Sequence, residues 1–285
     1  MPLDSSLVGQ PIGSITAICD ARWLMAFSSG VPDERPELYD TTSALVTHPL
    51  FPVAPEWELL ITHQSTPESV TPAELRRGVH ATHDVILERS LVAGETIHVT
   101  ATVAAVDRRP AGAVQQLVFE ATDTGGHTVW RTRFSSLFRG VELRGEPAFA
   151  DIEWPRTPSR ESSSDTPVAA RRSWVRPIDA HVYTECARIW NPIHTDVAIA
   201  RSAGLDNPIL HGTATLARAV SIVTELASIP VAEVERVVGS FSAMVQLGSF
   251  IDVQIVEITG HAVHFVVLND AGERAVRNGV VVPRH

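Results

Sequence analysis

The sequence predicts an α+β protein made of one unit used twice, each unit a strongly bent antiparallel sheet wrapped around a central helix. Three observations lead there. The chain has 285 residues, room for two domains at about 150 residues each. Turn and strand signals recur in the same order in both halves, Gly94 answering to Gly248 and Asp123 to Asp270, 154 and 147 residues apart. The segment from Thr213 to Ala227 is apolar over most of its helical circumference, which suits a helix enclosed by a curved sheet.

The elements follow in order. A helix over 21–28 precedes the turn Val92-Ala93-Gly94, which enters an alternating strand through Val99. Strands over 114–121 and 128–138 flank the turn Asp123-Thr124-Gly125-Gly126. In the second half a helix over 183–190 precedes the long apolar one, and Leu247-Gly248-Ser249 enters a strand with Ile251, Val253 and Ile255 on one face. Strands over 262–268 and 274–282 flank Asn269-Asp270-Ala271-Gly272. Between the halves, Glu146-Pro147, Trp154-Pro155, Thr157-Pro158 and Ser162-Ser163-Ser164 break all periodicity. The expected units are thus 1–141 and 178–285, joined by a crossover at 142–177, with the chemistry in the second.

Composition narrows the function. The net charge is −10 and the pI about 5.6, a field that repels phosphate backbones, so nucleic acid is not an expected partner. All 23 basic residues are Arg, which removes Schiff-base lysines and the lysine of a phosphate loop. Cys19 and Cys186 have no partner spacing for a disulfide or a zinc site, and no apolar run is long enough to cross a membrane. A cytoplasmic location is expected. No histidine-carboxylate spacing suggests a metal. His63, His98, His127, His261 and His285 read as surface histidines, and the pair His80 and His83 receives no role.

Two other histidines stand in different company. Asn191-Pro192-Ile193-His194-Thr195-Asp196 follows the first helix, with Pro192 stopping it at Asn191 and Asp196 suited to cap the next short helix. Pro208-Ile209-Leu210-His211-Gly212 opens the apolar helix. Unpaired N–H groups at such a buried helix start can receive a carbonyl oxygen as it gains negative charge.

These two motifs, about 14 residues apart, resemble the MaoC-like, R-specific enoyl-CoA hydratase and dehydratase family on a hotdog fold. His48-Pro49-Leu50-Phe51-Pro52-Val53 and Gly94-Glu95-Thr96 resemble the degenerate first hotdog of its two-domain members, so a double hotdog is implied. The resemblance implies a lyase, a hydro-lyase acting on acyl-CoA or acyl-carrier-protein thioesters, needing no cofactor beyond the CoA or pantetheine of its substrate. It implies a homodimer. His194 carries over as acid and base, Asn191 as the group positioning water, and the Gly212 N–H as donor to the thioester oxygen.

The family pattern Asp-x-Asn-Pro-x-His departs here, because Ile189 stands where the carboxylate belongs. Glu185, four residues back, is the replacement expected if the helix runs on, with Tyr183 and Cys186 as weaker candidates. The family's Pro-Gly-Asp strand entry is Leu247-Gly248-Ser249. Arg171, Arg172 and Arg176 are the candidate contacts for a phosphate-bearing carrier. With His194 alone, isomerisation, cyclisation or carbon–carbon cleavage in secondary metabolism becomes an alternative, as does a non-catalytic thioester-binding partner.

Overall fold

The computed structural model describes residues 3–64, 77–164 and 166–284, with backbone alone at 63 and 64. His285 and the side chain of His63 therefore lie outside the described residues. The first half contains β1 (Leu3–Asp4), β2 (Pro11–Cys19), α1 (Ala21–Gly30), α2 (Val53–Gln64), β3 (Gly78–Leu87), β4 (Glu95–Arg109), β5 (Gly112–Thr122) and β6 (Thr128–Arg139). Short strands β7 (Leu143–Arg144) and β8 (Ala148–Phe149) follow. The second half contains β9 (Ala169–Val175), α3 (Asp179–Ala187), α4 (Val197–Ser202), α5 (Gly212–Leu226), β10 (Val234–Phe241), β11 (Ser249–Ile258), β12 (Val263–Asn269) and β13 (Arg274–Pro283).

The strand order is β2-β4-β5-β6-β3 in the first half and, read outward from the seam, β10-β13-β12-β11-β9 in the second. Each half thus uses its first five long strands in the same spatial order, which is the duplication expected from the repeated turns. The two sheets are one, because β3 and β10 pair antiparallel from Arg236 opposite Ile86 to Ser240 opposite Thr82. The crossover is shorter than expected: residues 169–175, assigned to it from the sequence, form the edge strand β9 beside β11.

Burial explains each helix. Eleven of the fifteen residues of α5 are buried, and Val220, Leu216, Ala217 and Val223 are sealed among Val237, Ile251, Val253 and Val276. Each such leucine, valine or isoleucine contributes about 1.5–3 kcal/mol on removal from water. The first-half helix facing the sheet is α2, which the sequence did not reveal. Its opening donors are all used or missing: Val53 N–H bonds Leu50 O (3.2 Å), Ala54 N–H bonds Phe51 O (2.9 Å), Glu56 N–H bonds Pro52 O (3.3 Å), and Pro55 has none. Glu56 itself is buried, accepting from Trp130 Nε1 (2.9 Å) and Thr132 Oγ1 (2.5 Å), and burial pushes its carboxyl up to about 8.

On the outer face of the seam, Asp84 of β3 and Arg236 of β10 form a buried two-pronged ion pair, Nε to Oδ1 and Nη2 to Oδ2 both at 2.8 Å. Trp154 Nε1 also donates to Asp84 (2.8 Å), and Arg236 donates to the carbonyls of Pro155 and Arg156. The crossover is thereby fastened across the outside of the seam. Among the described residues no helix is long and apolar enough to cross a membrane.

Removing one partner of such a pair strands a buried charge. Arg236→Leu should lower the unfolding free energy by about 3–5 kcal/mol, and adding Asp84→Leu should recover part of the loss. Urea unfolding of the three proteins checks this; a single variant as stable as wild type would deny the pair its role.

Candidate active site

Three elements meet in front of α5, and a buried ion pair sets their positions. Asp179, at the start of α3, accepts from Arg218 of α5 (2.6 Å) and from Arg176 Nε (2.6 Å). Arg218 also donates to Trp174 O (3.0 Å). Burial alone would raise the Asp179 carboxyl, but the bonds from Arg218 and Arg176 outweigh it and hold the group below its ordinary value. Helix α3 is thus tied to α5.

Helix α3 ends at Ala187, three residues before the expected end. Arg188 turns into the left-handed region (φ 58°), with its N–H on Thr184 O. This removes the premise for Glu185: Ile189 is no longer on its helix, and the i,i+4 relation is lost. The structure places Glu185 on the exposed face, while Ile189 is 3% exposed and part of the core. The residues of α3 that face the histidines are Thr184 and Tyr183.

Beyond Ile189 the chain is extended at Asn191 (φ −129°, ψ 110°), as the following proline requires. Asn191 Oδ1 accepts from Ile193 N (3.4 Å), capping the turn Pro192–His194. Asp196 caps α4, accepting from Ala198 N (2.7 Å) and Ile199 N (3.2 Å). The turn delivers His194 so that its Nδ1 lies 2.9 Å from Ile209 O. A carbonyl only accepts, so Nδ1 carries the proton and Nε2 the lone pair. The segment bearing Ile209 is itself fixed, since Leu210 N bonds Val245 O (2.9 Å).

His211 stacks on His194 with ring centroids 3.7 Å apart, and its Nε2 lies 3.2 Å from Thr184 Oγ1. Behind it, buried Tyr183 donates to Thr213 Oγ1 (3.1 Å). Gly212 is the first residue of α5, and no side chain caps that helix. A Cβ there would stand 3.1 Å from the Phe241 ring, so glycine lets this aromatic close over the helix start. The structure therefore brings His194 beside His211 at the Gly212 helix start, with Thr184 and Phe241 as further neighbours, while Asn191 caps the turn that carries His194. His211 stood out in the sequence beside Gly212, but its stacking on His194 did not; Thr184 and Phe241 carry no signal of their own.

The three arginines are not a cluster. Successive strand residues face opposite ways, so Arg171 pairs with Glu225 (2.6 Å) while Arg172 pairs with Asp270 (3.0 Å) and covers Phe250. Arg176 is engaged by Asp179. Among the described residues no group of three or more His, Cys, Asp or Glu could hold a metal ion.

Burial drives the site histidines neutral: His194 is pushed down to about 4, and His211 well below its ordinary value by burial and by its neighbour. His48 and His83 are also lowered to about 4 by burial, and burial holds His80 well below its ordinary value. Below about pH 6.5 the unfolded chain therefore takes up protons that the folded chain refuses, and stability falls as pH drops from 6.5 toward 4. Glu56 acts in the opposite sense, losing stability as pH rises from about 4.5 to 8, but it is one group against these five and His264, which burial also lowers. The urea midpoint should be higher at pH 7 than at pH 5, and imidazole NMR signals of His194 should not titrate above pH 5; a His194 titration near 6.5 would contradict the buried neutral base.

Residues 159–273 match the MaoC like domain, and residues 6–130 match the FAS1-like dehydratase domain region. No curated protein matches the sequence. Among solved structures the chain is similar to a MaoC-like dehydratase from Phytophthora capsici, with a TM-score of 0.83 and 20% identity over 98% of this chain and 96% of that one. It is similar to the full-length peroxisomal multifunctional enzyme type 2 of Drosophila melanogaster (TM-score 0.75, 19% identity, 95% of this chain), spanning 48% of that protein. A Mycobacterium tuberculosis protein described as having a double hotdog fold aligns at 0.61 with 13% identity, over 96% of this chain and 95% of that one. Sheet order, helix placement and domain matches agree: the chain is a double hotdog whose second half belongs to the MaoC-like dehydratase domain family and whose first half matches a FAS1-like dehydratase region.

Proposed function

We propose that the chain is a hydro-lyase on acyl thioesters, adding water to a 2-enoyl thioester or removing it from a 3-hydroxyacyl one, with CoA or a carrier-protein pantetheine as the thiol. The observation that carries this reading is the fixed tautomer of His194: Nδ1–H on the Ile209 carbonyl at 2.9 Å leaves a neutral Nε2 lone pair beside the start of α5.

In the hydration direction Nε2 takes a proton from water as the water oxygen bonds Cβ. Electron density moves to the thioester oxygen, where the Gly212 N–H and the helix start stabilise it. The imidazolium then returns the proton to Cα, so one ring serves both transfers in turn. Asn191, whose Oδ1 is committed to its own turn, has its NH2 group left to hold the water.

Ile189 favours a second reading. A buried isoleucine in the carboxylate's place leaves a one-base site, which also suits double-bond migration in the same thioester. Product analysis separates the two.

His194→Ala should reduce hydration of crotonyl-CoA by at least ~10²-fold with the fold intact. Glu185→Gln should have little effect, because that side chain is on the exposed face. Ile189→Asp should raise hydration by adding a second proton carrier, while lowering the melting temperature because the carboxylate is buried. Full activity in folded His194→Ala would overturn the reading.

A further inference from the structure

The inner face of the first-half sheet is apolar along most of its length, where Val85, Leu117, Phe119 and Trp130 are buried. Toward the Gly212 end of α5 it turns polar. His83 pairs in register with Phe134 on one side and Gly239 on the other. Gly239 lies under Leu216 of α5, whose Cδ1 is 2.8 Å from where a Cβ would stand, so His83 faces the same interior. One row on, Gln115, Ser136 and His80 pair across β5, β6 and β3.

Residues three apart on a regular strand face opposite ways. The register shift between His80 and Thr82 cancels that alternation and brings both rings to the inner face, their centroids 5.5 Å apart. His80 lies 4.0 Å from Phe134 and 4.7 Å from Phe241, and Phe241 is the ring that closes on Gly212. The two histidines thus reach the candidate site from the half of the chain that lacks its motif.

His83 is fully buried, and neither ring nitrogen has a partner among the described residues. A neutral imidazole carries one donor and one acceptor, and leaving each unmet in the interior is costly. His80 places its Nε2 on Thr82 O (3.1 Å), leaving Nδ1 with a lone pair. A bound group would meet these atoms where the protein does not.

We propose that this face reads the tail of the acyl group, and that the substrate is an acyl thioester bearing a neutral oxygen, a hydroxyl or carbonyl, along its chain beyond the reacting carbons. The inference rests on the thioester reading above. A hydroxyl offers one donor and one acceptor, as the neutral ring does. An ionised carboxylate would need a charged imidazole, which burial opposes at both positions.

The test uses 2-enoyl-CoA thioesters of one chain length, plain or with a hydroxyl moved along the tail carbon by carbon. At one position the hydroxylated thioester should be preferred in kcat/KM by about tenfold. His83→Phe should abolish that ratio, and His83→Asn, which keeps a donor and an acceptor, should retain part of it. Should His83→Phe not fold, His80→Phe makes the same comparison. Equal kcat/KM at every position, or a preference that the Phe variants leave intact, overturns the proposal. If no thioester is turned over, the hydro-lyase reading fails by itself, and calorimetric binding of the same thioesters decides this one: tighter binding of a hydroxylated tail supports it, and equal or absent binding overturns it.

Discussion

One carboxylate and one guanidinium, Asp84 and Arg236, sit buried across the seam where the two halves become a single sheet. A slip of one residue between β3 and β10 would turn every inward side chain outward. Such a slip would remove His83 from the interior and Phe241 from Gly212. The pair acts on register, because its two parallel hydrogen bonds exist in one alignment only. It also fastens the crossover through Trp154 and the carbonyls of Pro155 and Arg156, so the same interaction sets the seam and the path of the chain around it.

Within that frame, the two histidine environments differ in kind. His48, which precedes α2 as His211 precedes α5, has both nitrogens engaged, Nδ1 accepting from Leu50 N (3.1 Å) and Nε2 beside Ser221 Oγ (3.1 Å). It is a brace between the halves. His194 has one nitrogen engaged and one to offer. Burial keeps both neutral, but only the second leaves a lone pair for chemistry.

The sequence made the repeat, the long strands β4–β6 and β11–β13, helix α5 and the Asn191 to Gly212 motif legible, because in these the periodicity and turn chemistry agree. Other parts were hidden for physical reasons. Strand β3 carries His80 and His83 inside and Asp84 buried outside, so polarity does not alternate along it. Helix α2 has prolines before and within its first turn, where a missing N–H is tolerated, yet proline reads as a break. The end of α3 hinged on Arg188 adopting a left-handed conformation, for which arginine gives no hint, and with it went the expectation for Glu185. The spread of Arg171 and Arg172 over two faces followed from a strand that the sequence had assigned to the crossover.

The opening of α2 has a consequence for stoichiometry. Its first turn has spent or lost every donor, through three bonds to preceding carbonyls and one proline, whereas α5 begins with a glycine and no side-chain cap. Of the two sheet-facing helices, α5 is therefore the one whose start keeps donors for an incoming oxygen. A chain with two hotdogs should saturate with a single equivalent of ligand, and an assembly of such chains should count its sites by polypeptides rather than by folds.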